Sequence, residues 1–186
     1  KTEQYGNYHV DGANSTATAN ASVSYAAASS LTISSASGTA TIQMAAAGSA
    51  KDLVAQINQS IDTTGVTATA ETDVTMTFSS SGSYTFTMTG DNTTAETVSF
   101  NLTAASGVDA LTAAANAVND IADKTGVTAI VNSAGTGVEL HHYEGENIVI
   151  ATAANSTSGD INFLDAAGAS TDSIVAAAAD AGITLS

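Results

Sequence analysis

The chain has 186 residues and a formal net charge of −15 at pH 7, from 18 acidic side chains against three lysines and no arginine. The length suits one domain or two small ones, and the charge argues against nucleic acid or an anionic membrane as partner, since both demand basic patches. Cysteine is absent, which excludes disulfides and thiolate metal sites.

Ala, Ser and Thr dominate, yet 44% of the residues are apolar and their spacing is periodic, so a folded chain with a light core is expected rather than a disordered one. No stretch approaches the roughly 18 apolar residues of a membrane span. The opening KTEQYGNYHV lacks the apolar run of a signal peptide and reads as the start of an excised internal fragment.

Residues 1–29 form a leading segment with a short strand at Ser22–Tyr25. Leu31 and Ile33 alternate with polar residues, Gly38 punctuates, and Thr41–Met44 makes a second strand. Ser49 is an N-cap with Asp52 three residues on, and Leu53, Val54, Ile57 and Ile61 make one helical stripe that ends at Gly65. Val66, Ala68 and Ala70 alternate as a strand. Val74–Phe78 and Tyr84–Met88 alternate on either side of a Ser/Gly turn and read as a hairpin.

The plan then recurs. Val98, Phe100 and Leu102 alternate. Ser106 is the expected cap, Asp109 lies in the first turn, and Leu111, Ala114, Ala115, Val118 and Ala122 form the stripe. Lys124 suits the negative end of the helix dipole, and Gly126 terminates. Val127–Val131 begins a strand. Val138 and Leu140, then Ile148 and Ile150, flank an EGEN turn as a second hairpin. Beyond them, Asn155–Gly159 reads as a loop and Asp172–Ala181 as a helix.

TGVTA stands at Thr64–Ala68 and again at Thr125–Ala129, an offset of 61 residues, and the pairs Ile57-Asn58 and Val118-Asn119 keep the same offset. Such internal repetition sets the architecture. The expectation is an α+β fold of two similar units, residues 30–90 and 91–152, each a mainly antiparallel sheet with one packed helix, plus β-rich flanks, the trailing one at 153–186. Neither helix can stand alone on so few apolar side chains.

These residues resemble the flagellin hook IN motif of bacterial flagellins and related flagellar cap and hook-associated proteins. LVAQIN with TGVTA carries the first match, and Ala114–Ile150 carries the second and better one. The resemblance spans residues 41–78 and 98–150. The family's long terminal coiled-coil helices have no counterpart here. It therefore implies the surface-exposed variable domain of a flagellin, outside the cell on the flagellar filament. There it would serve motility, filament surface and antigenicity. Its neighbours would be other subunits of the homopolymer, met mainly through parent core domains. O-linked glycans are also implied, with Ser79–Ser81 and Ser156–Ser158 as candidate loops. The alternative is a cap, hook-associated or adhesin-like binding module of an exported protein.

The chemistry-bearing residues point the same way. His141-His142-Tyr143-Glu144-Gly145-Glu146 is the one His/carboxylate cluster, but adjacent strand residues face opposite ways, so the two histidines do not share an ion. His142 shares the parity of Val138 and Leu140 and belongs near the buried side. The H-E-x-x-H that some flagellins carry is absent, as are G-x-S-x-G, the P-loop and the calcium-loop spacing. Asp52 and Asp109 read as dipole partners, and Asp91-Asn92 and Gly159-Asp160 as turns. No catalytic, cofactor-binding or metal residue is expected, and the chain is not read as an enzyme.

Overall fold

The computed structural model describes residues 29–44, 48–165, 168, 170–176 and 180–185; the expected strand at Ser22–Tyr25 lies outside them. The chain opens with a hairpin, β1 (Ser29–Ser34) and β2 (Thr39–Met44), followed by α1 (Ala50–Gln59) and a single turn, α2 (Ile61–Thr64). Then come β3 (Thr72–Phe78), β4 (Gly82–Thr89), β5 (Glu96–Leu102), α3 (Val108–Asn119), α4 (Ala122–Thr125), β6 (Thr128–Val131) and β7 (Val138–His142). The series ends with β8 (Ile148–Thr152), β9 (Ile161–Leu164), β10 (Ser170–Ile174) and β11 (Asp180–Leu185). The architecture is α+β and rich in strands.

Two antiparallel sheets carry the core. One is five-stranded, in the order β10-β9-β3-β7-β6; the other is four-stranded, β11-β8-β4-β5. Strict alternation puts Met76, Phe78, Val138 and Leu140 of the first sheet and Tyr84, Phe86, Ile148 and Ile150 of the second into one buried cluster. Phe78 meets Tyr84 edge-on at 4.9 Å between ring centroids and Phe100 at 5.7 Å. Helix α3 packs on β5 and β6, the terminal strands of the two sheets, and inserts Leu111, Ala114 and Val118 into the same core.

Strands β3, β4, β5, β7 and β8 arise where the sequence places them, but their partners differ. The segments β3 and β4 do not form a hairpin; β3 pairs with β7 and β9, and β4 with β5 and β8. The Ser79–Ser81 link is an arch from one sheet to the other. The same holds for β7 and β8 on either side of EGEN. The physical reason is burial: each of these strands has an apolar inward face, and two such faces bury more by opposing each other across a core than by lying side by side. Hydrogen bonds therefore cross residue 90, and each sheet draws strands from both of the expected units.

Four smaller differences follow. Residues 65–71 have no strand, although Val66, Ala68 and Ala70 alternate. Helix α3 has Gly107 rather than Ser106 as its N-cap, with no side-chain cap. Each expected long helix breaks into a helix and a separate turn, at Ser60 and at Asp120-Ile121. Finally, the expected helix at Asp172–Ala181 is replaced by β10 and β11. Ile174, Ile183 and Leu185 are buried there, so completing the open sheet ends outweighs the helix propensity of the alanines.

Candidate functional site

Each TGVTA phrase is a compact hydrogen-bonded device. Asn58 Nδ2 donates to the Ala68 carbonyl at 3.0 Å, and its Oδ1 accepts from the Ala68 N–H at 2.9 Å. Asn119 does the same to Ala129, both bonds at 2.8 Å. Thr64 Oγ1 donates back to the Ser60 carbonyl at 3.0 Å and accepts from Val66 N–H at 3.2 Å. Thr125 repeats this with Ile121 and Val127 at 3.1 and 3.2 Å. Gly65 and Gly126 sit in the left-handed region, at φ 65° and 72°, as closing residues of their helical turns. Three positions of the phrase thus have a role: the first Thr bonds both ways, Gly reverses the chain, and Ala presents the backbone that the asparagine holds.

The second device lies beside the His-Tyr-Glu cluster. His142 ends β7, is 1% exposed, and accepts at Nδ1 from the Glu144 and Glu146 N–H groups, each at 3.3 Å. The ring's hydrogen therefore belongs on Nε2, which stands 3.3 Å from Asp91 Oδ2 without forming a hydrogen bond. Asp91 Oδ1 accepts from Lys51 Nζ at 2.7 Å, and the same ammonium reaches Glu144 Oε2 at 2.7 Å. Lys51 N–H also donates to the Gly145 carbonyl at 3.0 Å. Four chain segments converge here: the start of α1, the β4–β5 loop, the turn at Gly126 and the β7–β8 arch.

The electrostatics follow the contacts. Hydrogen bonds from Asp91 and then Glu144 hold the Lys51 ammonium well above its ordinary range. The Lys51 hydrogen bond, helped by His142, holds the Asp91 carboxyl below its usual range against the opposing effect of partial burial. With Lys51 held between Asp91 and Glu144, the cluster forms a polar latch between α1 and the sandwich.

His141 faces outward, as the strand parity requires. Its Nδ1 meets Asp73 Oδ1, its Nε2 is 3.9 Å from Glu139 Oε2, and Tyr143 stacks on it with centroids 6.1 Å apart. The carboxylates approach different edges of the ring, so they do not converge on one point. His141, Asp73 and Glu139 line an open groove of about 220 Å³ with Val74 and Thr75. Among the described residues no three His, Cys, Asp or Glu side chains gather as ion ligands.

Asp52 completes a capping box with Ser49, and Asp109 sits in the first turn of α3. Asp91 was legible only as a turn residue. Its latch role depends on Lys51 and His142, which are remote in sequence, and no local signal announces it. The asparagines stood out by their matched offset, which was the available signal for the clamp.

The flagellin hook IN motif matches residues 30–82, from the first hairpin through the first TGVTA phrase to the start of β4. No curated protein matches the chain. The motif supports a relation to the flagellins and points to a flagellin-type structural protein, of the kind whose subunits assemble into the flagellar filament. Among the described residues no helix is long and apolar enough to cross a membrane.

Proposed function

We propose that this chain is the surface-exposed variable domain of a bacterial flagellar filament subunit. It is an outward-facing part of the subunit that sets the filament's surface, solubility and antigenicity outside the cell. The match at residues 30–82 is the observation that carries this reading. The acidic, Ser/Thr-rich composition suits a solvated outer face. In this reading residues 30–90 and 91–152 are two IN-like units of one duplicated ancestor, supported by the shared asparagine clamp. Their strands interleave into one sandwich, with 1–29 leading in and 153–186 returning toward the parent core. Contacts along the filament run mainly through core domains of the parent, and O-linked glycans fall on loops such as Ser79–Ser81 and Ser156–Ser158.

The test is an in-frame deletion of residues 1–186 from the parent protein, with the cut ends joined by a short linker. Smooth, thinner filaments are the expected result. Complete loss of filaments, with the shortened subunit stable and exported, would transfer the segment to an assembly core or to a cap or adhesin-like module.

A further inference from the structure

His141 and His142 are adjacent, yet their hydrogen bonds set opposite tautomers. His142 accepts at Nδ1 from two backbone N–H groups and is sealed from solvent. On His141 it is Nδ1 that is engaged, by the Asp73 carboxylate directly across the β3–β7 pair. An ionised carboxylate only accepts, so the hydrogen of that contact sits on Nδ1 and the lone pair of the neutral ring on Nε2. That lone pair faces Glu139 Oε2, 3.9 Å away, in the open groove. Two acceptors therefore confront each other across a gap too wide for a hydrogen bond, and neither brings a hydrogen to fill it.

We propose that this gap binds zinc, with His141 Nε2 and Glu139 Oε2 as its two protein ligands and water completing the shell. Residues two apart on a strand share a face, so Glu139 and His141 reach the same point from β7. Zinc holds nitrogen and carboxylate oxygen at about 2.0–2.2 Å, which sets tetrahedral ligands about 3.4 Å apart. Closing from 3.9 Å takes about half an ångström of movement from a Glu139 side chain that is 42% exposed. Asp73 does not touch the ion; it is a positioning residue. Its hold on Nδ1 sets the tautomer and aims the ring, and it raises the basicity of the ligating nitrogen. Tyr143, stacked on His141, steadies the plane of the ring. Charge favours a cation as well. Lys51 and Lys124 pair with other carboxylates, so among the described residues Asp73 and Glu139 meet no ammonium, and the net charge of −15 draws divalent ions in. An imidazole with a carboxylate suits zinc rather than magnesium or calcium, which take oxygen shells. The sequence alone led to no expected metal ligand, and the reason is distance along the chain: Asp73, which turns the His141 lone pair toward Glu139, lies 68 residues away.

The test is titration of the isotope-labelled 186-residue chain with Zn²⁺ alone, followed by NMR of the histidine rings. A single saturable event is expected that moves the His141 ring and leaves those of His9 and His142 in place. His141→Ala should abolish it, Glu139→Gln should weaken it at least about tenfold, and Asp73→Asn about tenfold, the usual effect of removing the carboxylate behind a ligating imidazole. An equal concentration of Mg²⁺ or Ca²⁺ should not displace the zinc. The zinc-free spectra add a readout that a merely structural role for Asp73 would not move. The ring hydrogen is expected on Nδ1 in His141 and on Nε2 in His142, and Asp73→Asn should erode the Nδ1 preference of His141. Should a variant fail to fold, the wild-type ring shifts and tautomers decide alone. Four results would overturn the proposal: no saturable change, an adventitious site that moves His9 instead, equal affinity in Glu139→Gln, or a zinc-free His141 with its hydrogen on Nε2. All are read on the isolated chain and are independent of the deletion phenotype.

Discussion

Helices α1 and α3 end in the same device and bury very different amounts. Helix α3 places Leu111, Ala114 and Val118 wholly inside the core, between β5 and β6. In α1 only Ile57 is buried; Leu53 and Val54 are half-covered, and Ile61 in the next turn is exposed. The difference lies downstream of the repeat. After Ala129 the chain pairs with β7 as β6 and gives α3 a second strand to rest on. After Ala68 it runs irregularly to β3, so α1 has β2 beneath it and the polar latch at its start. A turn motif fixes the local chain reversal, and the stability of the helix that it ends is set by what the following segment pairs with.

The largest separation between the two regions should come from burying a charge. Val118→Asp is expected to cost more than about 4 kcal/mol and unfold the sandwich, because the carboxylate would have no partner in a fully apolar site. Ile57→Asp should melt α1 and leave the sandwich's own transition in place, which differential scanning calorimetry would show as two events. A single lost transition in both variants would remove the distinction.

Next are the clamps. Asn119→Ala leaves the Ala129 N–H and carbonyl without their side-chain partners in a packed site, at a cost of about 2–3 kcal/mol. Asn58→Ala should cost about half as much, because Ala68 is better placed to find water. Urea unfolding of both variants checks the ratio. A smaller contrast separates the turn glycines. Both pay about 1 kcal/mol as alanine for the left-handed backbone. At Gly126, however, the added methyl would also run into Asp91 and His142, whereas at Gly65 the nearest atom is Ser37 Oγ at 3.5 Å. Gly126→Ala should therefore melt lower than Gly65→Ala.

The smallest effect belongs to the latch. Lys51→Met should cost less than about 1 kcal/mol, because Lys51 and its partners are well exposed and screened. Its pH dependence has a definite sign. Asp91 is held below its ordinary 3.8, so its contribution is present above that value and is lost as the solution becomes more acid. Lys51 is held above its ordinary 10.5, so its contribution is present below that value and is lost in stronger base. The gap between wild type and Lys51→Met should be flat from about pH 5 to pH 10 and close at both extremes. A gap that widens in acid would contradict the assigned pairing.

Period-two alternation marked out β3, β4, β5, β7 and β8 and their inward residues, because burial on one face leaves that trace in any strand. It could not say whether two consecutive strands pair or oppose each other. The Ser/Gly and EGEN links satisfy a hairpin and an arch equally, so the sandwich was hidden behind two expected hairpins. Ser49 with Asp52 was readable since the capping box is local, and the TGVTA offset was readable since both copies keep it. Lys51, Asp91 and His142 were not legible as a group. Their meeting depends on how α1 docks against the β7–β8 arch, which no short-range pattern encodes. The β10–β11 ending was misread because alanine-rich sequence favours helix locally, while the open sheet ends reward Ile174, Ile183 and Leu185 for pairing.

Native-state hydrogen exchange across α1 and α3 tests the contrast between the two helices most directly. The amides of Leu111–Val118 are expected to exchange only through global unfolding, while those of Leu53–Ile57 open through a smaller, sub-global event of lower free energy that Lys51→Met lowers further. Equal opening free energies for the two helices, unchanged by Lys51→Met, would mean that α1 is as deeply tied into the sandwich as α3 and that the latch holds nothing.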